Sequence, residues 1–200
     1  MSESKWVLGQ VAFQPRMPPL LAEKMTEAQR KAADELIAGP RKGVKGPFIP
    51  LLRSPELMDR LQKVGEYLRF QSSLDQRISE LVMLVVSREW TQHFEWVVHV
   101  PLGRKAGISE DTIAALADGR RPSGMSEDEE VAYDFCAELL RNKGVAETTY
   151  RRTVTRFGEN GVIDMIGVAG YFTTVSMIMN VAHSPPPADA SVAPLAPYPL

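Results

Sequence analysis

Residues 74–99 read LDQRISELVMLVVSREWTQHFEWVVH, and this stretch decides the fold. Leu74, Ile78, Leu81, Val82, Val85 and Val86 recur at helical spacing and leave the helix apolar on almost every side. Such a helix is stable only where other elements cover it, so it belongs at the centre of the molecule. Arg77 and Glu80, three residues apart on this helix, need partners there, because burying an unpaired charge is expensive. Ser73 with Gln76 reads as a capping box opening the helix, which runs to about Arg88. Thr91 is the expected cap of the following helix, which continues to about Ala106 and closes at Gly107. On its helical wheel Phe94, Val97, Val98 and Pro101 form the expected core face. Gln92, Glu95 and His99 cluster on the opposite quadrant, with Trp96 beside them. Glu95 and His99 are four apart, close enough for a carboxylate to orient an imidazole. If the two helices pack antiparallel, Glu80 approaches the same quadrant.

Working outward, start signals lay out further helices. Thr26 with Gln29 opens one through about Ile37, which Gly39-Pro40 breaks. Ser54-Pro55 opens a run carrying Leu57, Leu61, Val64 and Leu68. Ser109 opens a short helix to about Ala117, and Ser126 with Glu129 opens one ending near Asn142. From about Ala146 a helix runs to Gly158. A last one spans Asn160 to about Ala182, where Gly167 and Gly170 permit a neighbouring helix to approach. Alternation at period two is absent, so the class is all-α. The ends differ from this middle. We expect an extended N-terminal segment over 1–22, a helical domain over 23–183 and a proline-rich tail over 184–200. The tail holds six prolines and a single charge, Asp189, which favours polyproline-like chain. Val192, Leu195, Tyr198 and Leu200 suit either a disordered tail or an arm laid across a neighbouring subunit.

Composition narrows the function. The formal net charge is −2, and no stripe of Lys and Arg with interleaved aromatics invites a nucleic acid. The basic stretch from Arg141 to Arg156 is diluted by Glu147 and reads as a solvated helix surface. Met1 to Gln10 has no apolar run of the secretory kind. Ile163 to Ala182 has the length of a membrane span, but its Thr173, Thr174, Ser176 and Asn180 fit a helix buried in a core or between subunits. The expected location is the cytoplasm, with no membrane partner. The lone Cys136 sits in an apolar run with Val131, Phe135 and Leu139 and reads as a small hydrophobe, so dithiol chemistry has no second thiol. His93 and His99 are six apart and share no helical face, and no third strong ligand is evident, so no metal site is expected. Phosphate loops and a serine-nucleophile elbow are absent. Each polar pair also has a plainer reading. Glu95–His99 as a surface pair contributes a few tenths of a kcal/mol, Arg77–Glu80 fits a structural ion pair, and His93 fits an exposed residue.

The run from Leu74 through Glu80, then Phe94-Glu95-Trp96, His99 and Ala106-Gly107-Ile108-Ser109, resembles the carboxymuconolactone decarboxylase family. Val168-Ala-Gly-Tyr171-Phe, continuing to Asn180, is similar to the closing helix of its longer members, and the likeness covers roughly residues 45–183. The resemblance implies an all-α bundle of the alkylhydroperoxidase D type. In its peroxidase branch a glutamate, a C-x-x-C pair and a histidine stand at fixed spacing. Glu80 and His99 match the first and last, while the cysteine positions fall on Gln92 and Glu95. Without a thiolate, disulfide exchange has no nucleophile. The decarboxylase branch implies a reaction without metal or organic cofactor on a small carboxylated lactone. Glu80, Glu95 and His99 are then the catalytic candidates, with His99 the proton donor. Arg77 or Arg88 is the expected carboxylate clamp, Trp90, Trp96 and Tyr171 the walls, and His93 a further binding candidate. The resemblance also implies a homo-oligomer, a trimer or hexamer. A redox protein and a non-catalytic binding assembly are the alternatives.

Overall fold

The computed structural model describes residues 14–193, 195 and 196. Helix α4, Gln76–Glu89, is the element around which the rest is built, and every residue from Ile78 to Arg88 on it is buried. It precedes α5 (His93–Ala106), α6 (Glu110–Ala117), α7 (Glu127–Asn142) and α8 (Glu147–Ala182). Before it come α1 (Glu27–Ala38), the short α2 (Phe48–Leu51) and α3 (Pro55–Phe70). No strand occurs among the described residues. Helices α5, α6, α7 and α8 pack around α4, while α1 and α2 lie on α3. Each fully buried leucine or methionine, such as Leu81, Met83 and Leu84, contributes about 1.5–3 kcal/mol. Packing, and not helix propensity, therefore holds the Val-rich α4 helical.

A second apolar cluster joins Ala33 and Leu36 of α1 to Phe48 and Leu51 of α2 and Met58 of α3. Leu61 packs against both clusters and joins this N-terminal layer to the main core. The four-residue α2 carries no sequence signal, since Pro47 precedes it, Pro50 lies within it and no side chain caps it.

The Thr26 and Ser126 capping boxes form as expected, and Ser109 caps α6. Two caps are corrected. Asp75, not Ser73, caps α4 by accepting from the Arg77 N–H at 2.9 Å. Ser73 is taken by the buried Asp164 of α8, to which its N–H and hydroxyl donate at 2.7 and 2.8 Å. A buried carboxylate needs such donors more than a helix end needs a second cap. Thr91 caps nothing. It turns the corner with φ +45°, letting the Gln92 N–H reach back to the Ser87 carbonyl at 2.8 Å. Gln92 is the cap, accepting from the Phe94 N–H at 2.7 Å.

Gly158 breaks α8 with φ +68° and ψ 172°, at the expected position. Gly167 lets Leu68 of α3 in, because an added Cβ there would lie 2.9 Å from a leucine methyl. Gly170 faces no neighbour and admits none. By length and composition α8 passes for a membrane span, but 56% of its most apolar window is buried against the rest of the chain.

The tail folds back on its own chain. Leu195 is buried in the main core with Val192 against it, and the Ala196 carbonyl accepts from Arg88 at 2.8 Å. That covers Val192 and Leu195 without a neighbouring subunit. Tyr198, Leu200 and residues 1–13 lie outside the described residues.

Candidate active site

The antiparallel corner of α4 and α5 brings three titratable side chains together. His99 Nδ1 lies 2.7 Å from Glu80 Oε2, and its Nε2 lies 3.2 Å from Glu95 Oε2. All three residues are buried: Glu80 is 0% exposed, His99 2% and Glu95 4%. Gln76 fills the other Glu80 oxygen, donating from Nε2 at 2.8 Å. Phe172 of α8 closes one side of the ring edge-on, 5.0 Å between centroids. The plainer reading of Glu95–His99 as a surface pair is thereby removed. Burial opposes a charge on His99, but the bonds to Glu80 and Glu95 outweigh it and raise the imidazole above its ordinary value.

The expected core face of α5 is corrected. Trp96, Val97, Val100 and Gly103 are buried, Phe94 and Val98 are half-buried, and Pro101 is exposed. The polar quadrant is buried as well, because Glu80 of α4 and Phe172 and Asn180 of α8 cover it. Spacing on one helix cannot report which of its sides a neighbour occupies.

Glu95 and His99 open onto a cavity of about 290 Å³. Phe48, Phe94, Phe172 and Tyr171 form apolar walls, and Arg41, Lys45 and Arg69 supply positive charge. The N-terminal layer thus contributes three cations that the sequence reading missed. Arg41 lies between α1 and α2, Lys45 just before α2, and Arg69 at the end of α3. Burial lowers the Arg41 guanidinium, with Tyr171 and Glu95 opposing and Arg69 reinforcing. Burial likewise pushes the Tyr171 hydroxyl up.

Of the expected binding residues only Tyr171 lines the cavity, and the others are corrected. Arg77 faces Glu129 of α7, at 3.9 Å. Arg88 is buried at the far end of α4 and donates to the carbonyls of Ala117 and Ala196 and to the Thr91 hydroxyl. Trp90 donates to the Thr173 hydroxyl at 3.2 Å and lines another surface. Trp96 is packed in the main core. His93 is half-buried outside the cavity, its imidazole lowered by burial and by the Arg88 charge. The physical reason is common to all five: α4 and the corner into α5 are packed against several neighbours at once, so their charged and aromatic residues serve different partners and not one pocket.

Gln92, at the first cysteine position of the peroxidase pattern, is structural. It caps α5 and donates to Asn180 Oδ1 at 2.7 Å, tying the corner to α8. Cys136 is buried in the main core, and burial pushes its thiol up to about 12.

Residues 55–138 match the carboxymuconolactone decarboxylase (CMD) family. Two solved structures share the fold. One is a protein of unknown function from Agrobacterium tumefaciens, described as a candidate antioxidant defence protein AhpD. It is 19% identical with a TM-score of 0.62, over 70% of this chain and 96% of that one. The other is an uncharacterized peroxidase-related protein with an alkylhydroperoxidase AhpD core, from Ralstonia eutropha JMP134. It is 13% identical with a TM-score of 0.71, over 92% of this chain and 97% of that one. No curated protein matches the chain. At these identities the likeness to the two structures is one of fold. Together with the family match, it defines an all-α protein with an AhpD-like fold. Residues 55–138 of the chain thus match the CMD family, within an all-α fold shared with the two AhpD-like structures.

Proposed function

We propose that this protein is an acid–base enzyme acting on a small organic acid or lactone, with decarboxylation the leading reaction and no step through a thiol or a cofactor. One observation carries the reading: a buried imidazole bracketed by two carboxylates opens onto a cavity whose wall carries cations. Glu80 is fixed by Gln76 and holds His99 by Nδ1, which leaves Nε2 as the nitrogen for proton exchange. In a decarboxylation the bond to the departing carboxylate breaks, CO₂ leaves, and the electron pair stays on carbon. His99 Nε2–H protonates that carbon, and Glu95, 3.2 Å from Nε2, stabilises the charged imidazole beforehand and takes part in its reprotonation from water. The apolar walls favour the step, because a carboxylate loses solvation on entering and CO₂ needs none.

The names of the structural neighbours suggest peroxide chemistry instead. Against that stand Gln92 and Glu95 at the cysteine positions, and a Cys136 that burial keeps protonated. The test is turnover of carboxymuconolactone and related small carboxylated lactones, read as CO₂ release, by wild type and His99→Gln. Activity that survives this substitution at the wild-type rate rules out the role given to His99. Peroxide consumption with a dithiol reductant, lost in Cys136→Ser, would overturn the class of reaction.

A further inference from the structure

We propose that Arg41 and Arg69 together form a receiving site for the carboxylate of a planar, conjugated acid, assembled over the bare Cα of Gly65 and closed by Tyr171. The inference rests on the cavity being the substrate site, and it names what the cavity selects.

Arg41 and Arg69 reach the cavity from different elements, yet neither is paired with a carboxylate among the described residues. The one hydrogen bond from Arg41 to protein backbone, Nη2 to the Gln62 carbonyl, is long at 3.5 Å. The Nε–H of each arginine is buried without a partner. Each guanidinium is instead laid against an aromatic ring, Arg41 at 4.4 Å from the Phe48 centroid and Arg69 at 5.1 Å from that of Phe70. Two like charges facing one cavity repel each other, and an anion held between them relieves that repulsion. Arginine suits this role, since its planar fork matches a carboxylate with two parallel N–H bonds.

Gly65 makes the arrangement possible. A Cβ at this buried position of α3 would stand 2.4 Å from the Tyr171 hydroxyl oxygen and 2.7 Å from Arg41 Nη2. Only a residue without a side chain lets both groups meet against the helix. The flat body of the ligand follows from the walls: Phe48, Phe94 and Phe172 offer ring faces and edges around a space of about 290 Å³, which favours a planar ligand over a puckered one. Glu95 beside His99 repels an anion at that end of the cavity, so a carboxylate goes to the arginines and the carbon that receives the proton lies toward His99.

Isothermal titration of the full chain with benzoate, its neutral isostere benzamide and the puckered cyclohexanecarboxylate tests the site. Benzoate is expected to bind roughly tenfold or more tightly than either of the others, as charge-assisted hydrogen bonds predict. Arg41→Gln and Arg69→Gln are each expected to weaken benzoate about tenfold and to leave benzamide unchanged. Gly65→Ala is expected to act like Arg41→Gln, and if it fails to fold the two arginine variants carry the test. Absent benzoate binding, equal affinity for benzoate and benzamide, or arginine variants with wild-type affinity for benzoate would each overturn the site. Equal affinity for cyclohexanecarboxylate would overturn the planar class. Binding is read here without turnover, so failure of the arginine site leaves the acid–base reading standing. Conversely, a His99→Gln enzyme that keeps its turnover removes that reading and not this one.

Discussion

Helix α4 buries a charged side chain toward each end, and the two are satisfied in different ways. Near its start Glu80 meets His99 and Gln76, with His99 at 2.7 Å and a cavity alongside. Near its end Arg88 meets the Ala117 and Ala196 carbonyls at 3.2 and 2.8 Å and the Thr91 hydroxyl at 3.1 Å. A carbonyl cannot take or give a proton at ordinary pH, so the Arg88 cluster fastens the α6 end and the tail to α4. An imidazole can do both, so the Glu80 cluster can carry chemistry. Buried charge alone therefore does not mark a site. The nature of the partners and the presence of open space do.

The comparison can be broken most sharply at His99. His99→Gln is expected to reduce turnover about 10²–10⁴-fold, the usual contribution of a positioned acid or base, with the fold retained by circular dichroism. Arg88→Leu is expected to do the reverse. It leaves two backbone carbonyls short of a donor and should cost about 3 kcal/mol in chemical denaturation. Proteolysis of the tail should then become faster, while turnover by the folded fraction stays near wild type. An Arg88→Leu protein that is stable but inactive would erase the distinction drawn between the two ends.

A third effect is the pH dependence of stability. The folded imidazole of His99 is raised above the ordinary histidine value of 6.5. Its stabilising contribution is then fully present below about pH 6.5 and lost as pH rises through the higher folded value. Denaturant midpoints measured from pH 6 to pH 9 should fall through that window in wild type, and the fall should be smaller in His99→Gln. A midpoint that rises through the same window contradicts the direction. The smallest expected effect concerns Cys136. At pH 8 the folded protein should react negligibly with a disulfide reagent such as DTNB, since its thiol lies near 12, and unfolding in urea should expose one reactive thiol.

Much of this was legible along the chain. The apolar run from Ile78 to Val86 announced a central helix, and the Thr26 and Ser126 boxes marked helix starts correctly. The meeting of Glu80, Glu95 and His99 also followed from spacing once the two helices were taken as antiparallel. Arg41, Lys45 and Arg69 were not legible, because they come from a loop, a helix start and a helix end that touch the cavity only after the N-terminal layer docks. Nor was Gly65, whose importance lies in what fills the space beside it. Arg88 misled for the opposite reason: a charge on a buried helix calls for partners, and the sequence does not say whether they are ligands or carbonyls.

By itself the sequence determined the longer helices, the central place of α4, and the absence of a second thiol, since each is written in residue type and apolar spacing. The tertiary structure alone decided which cations face the imidazole and where the tail runs. Those are contacts between segments far apart in the chain, and no local rule about periodicity or capping encodes the distance between them.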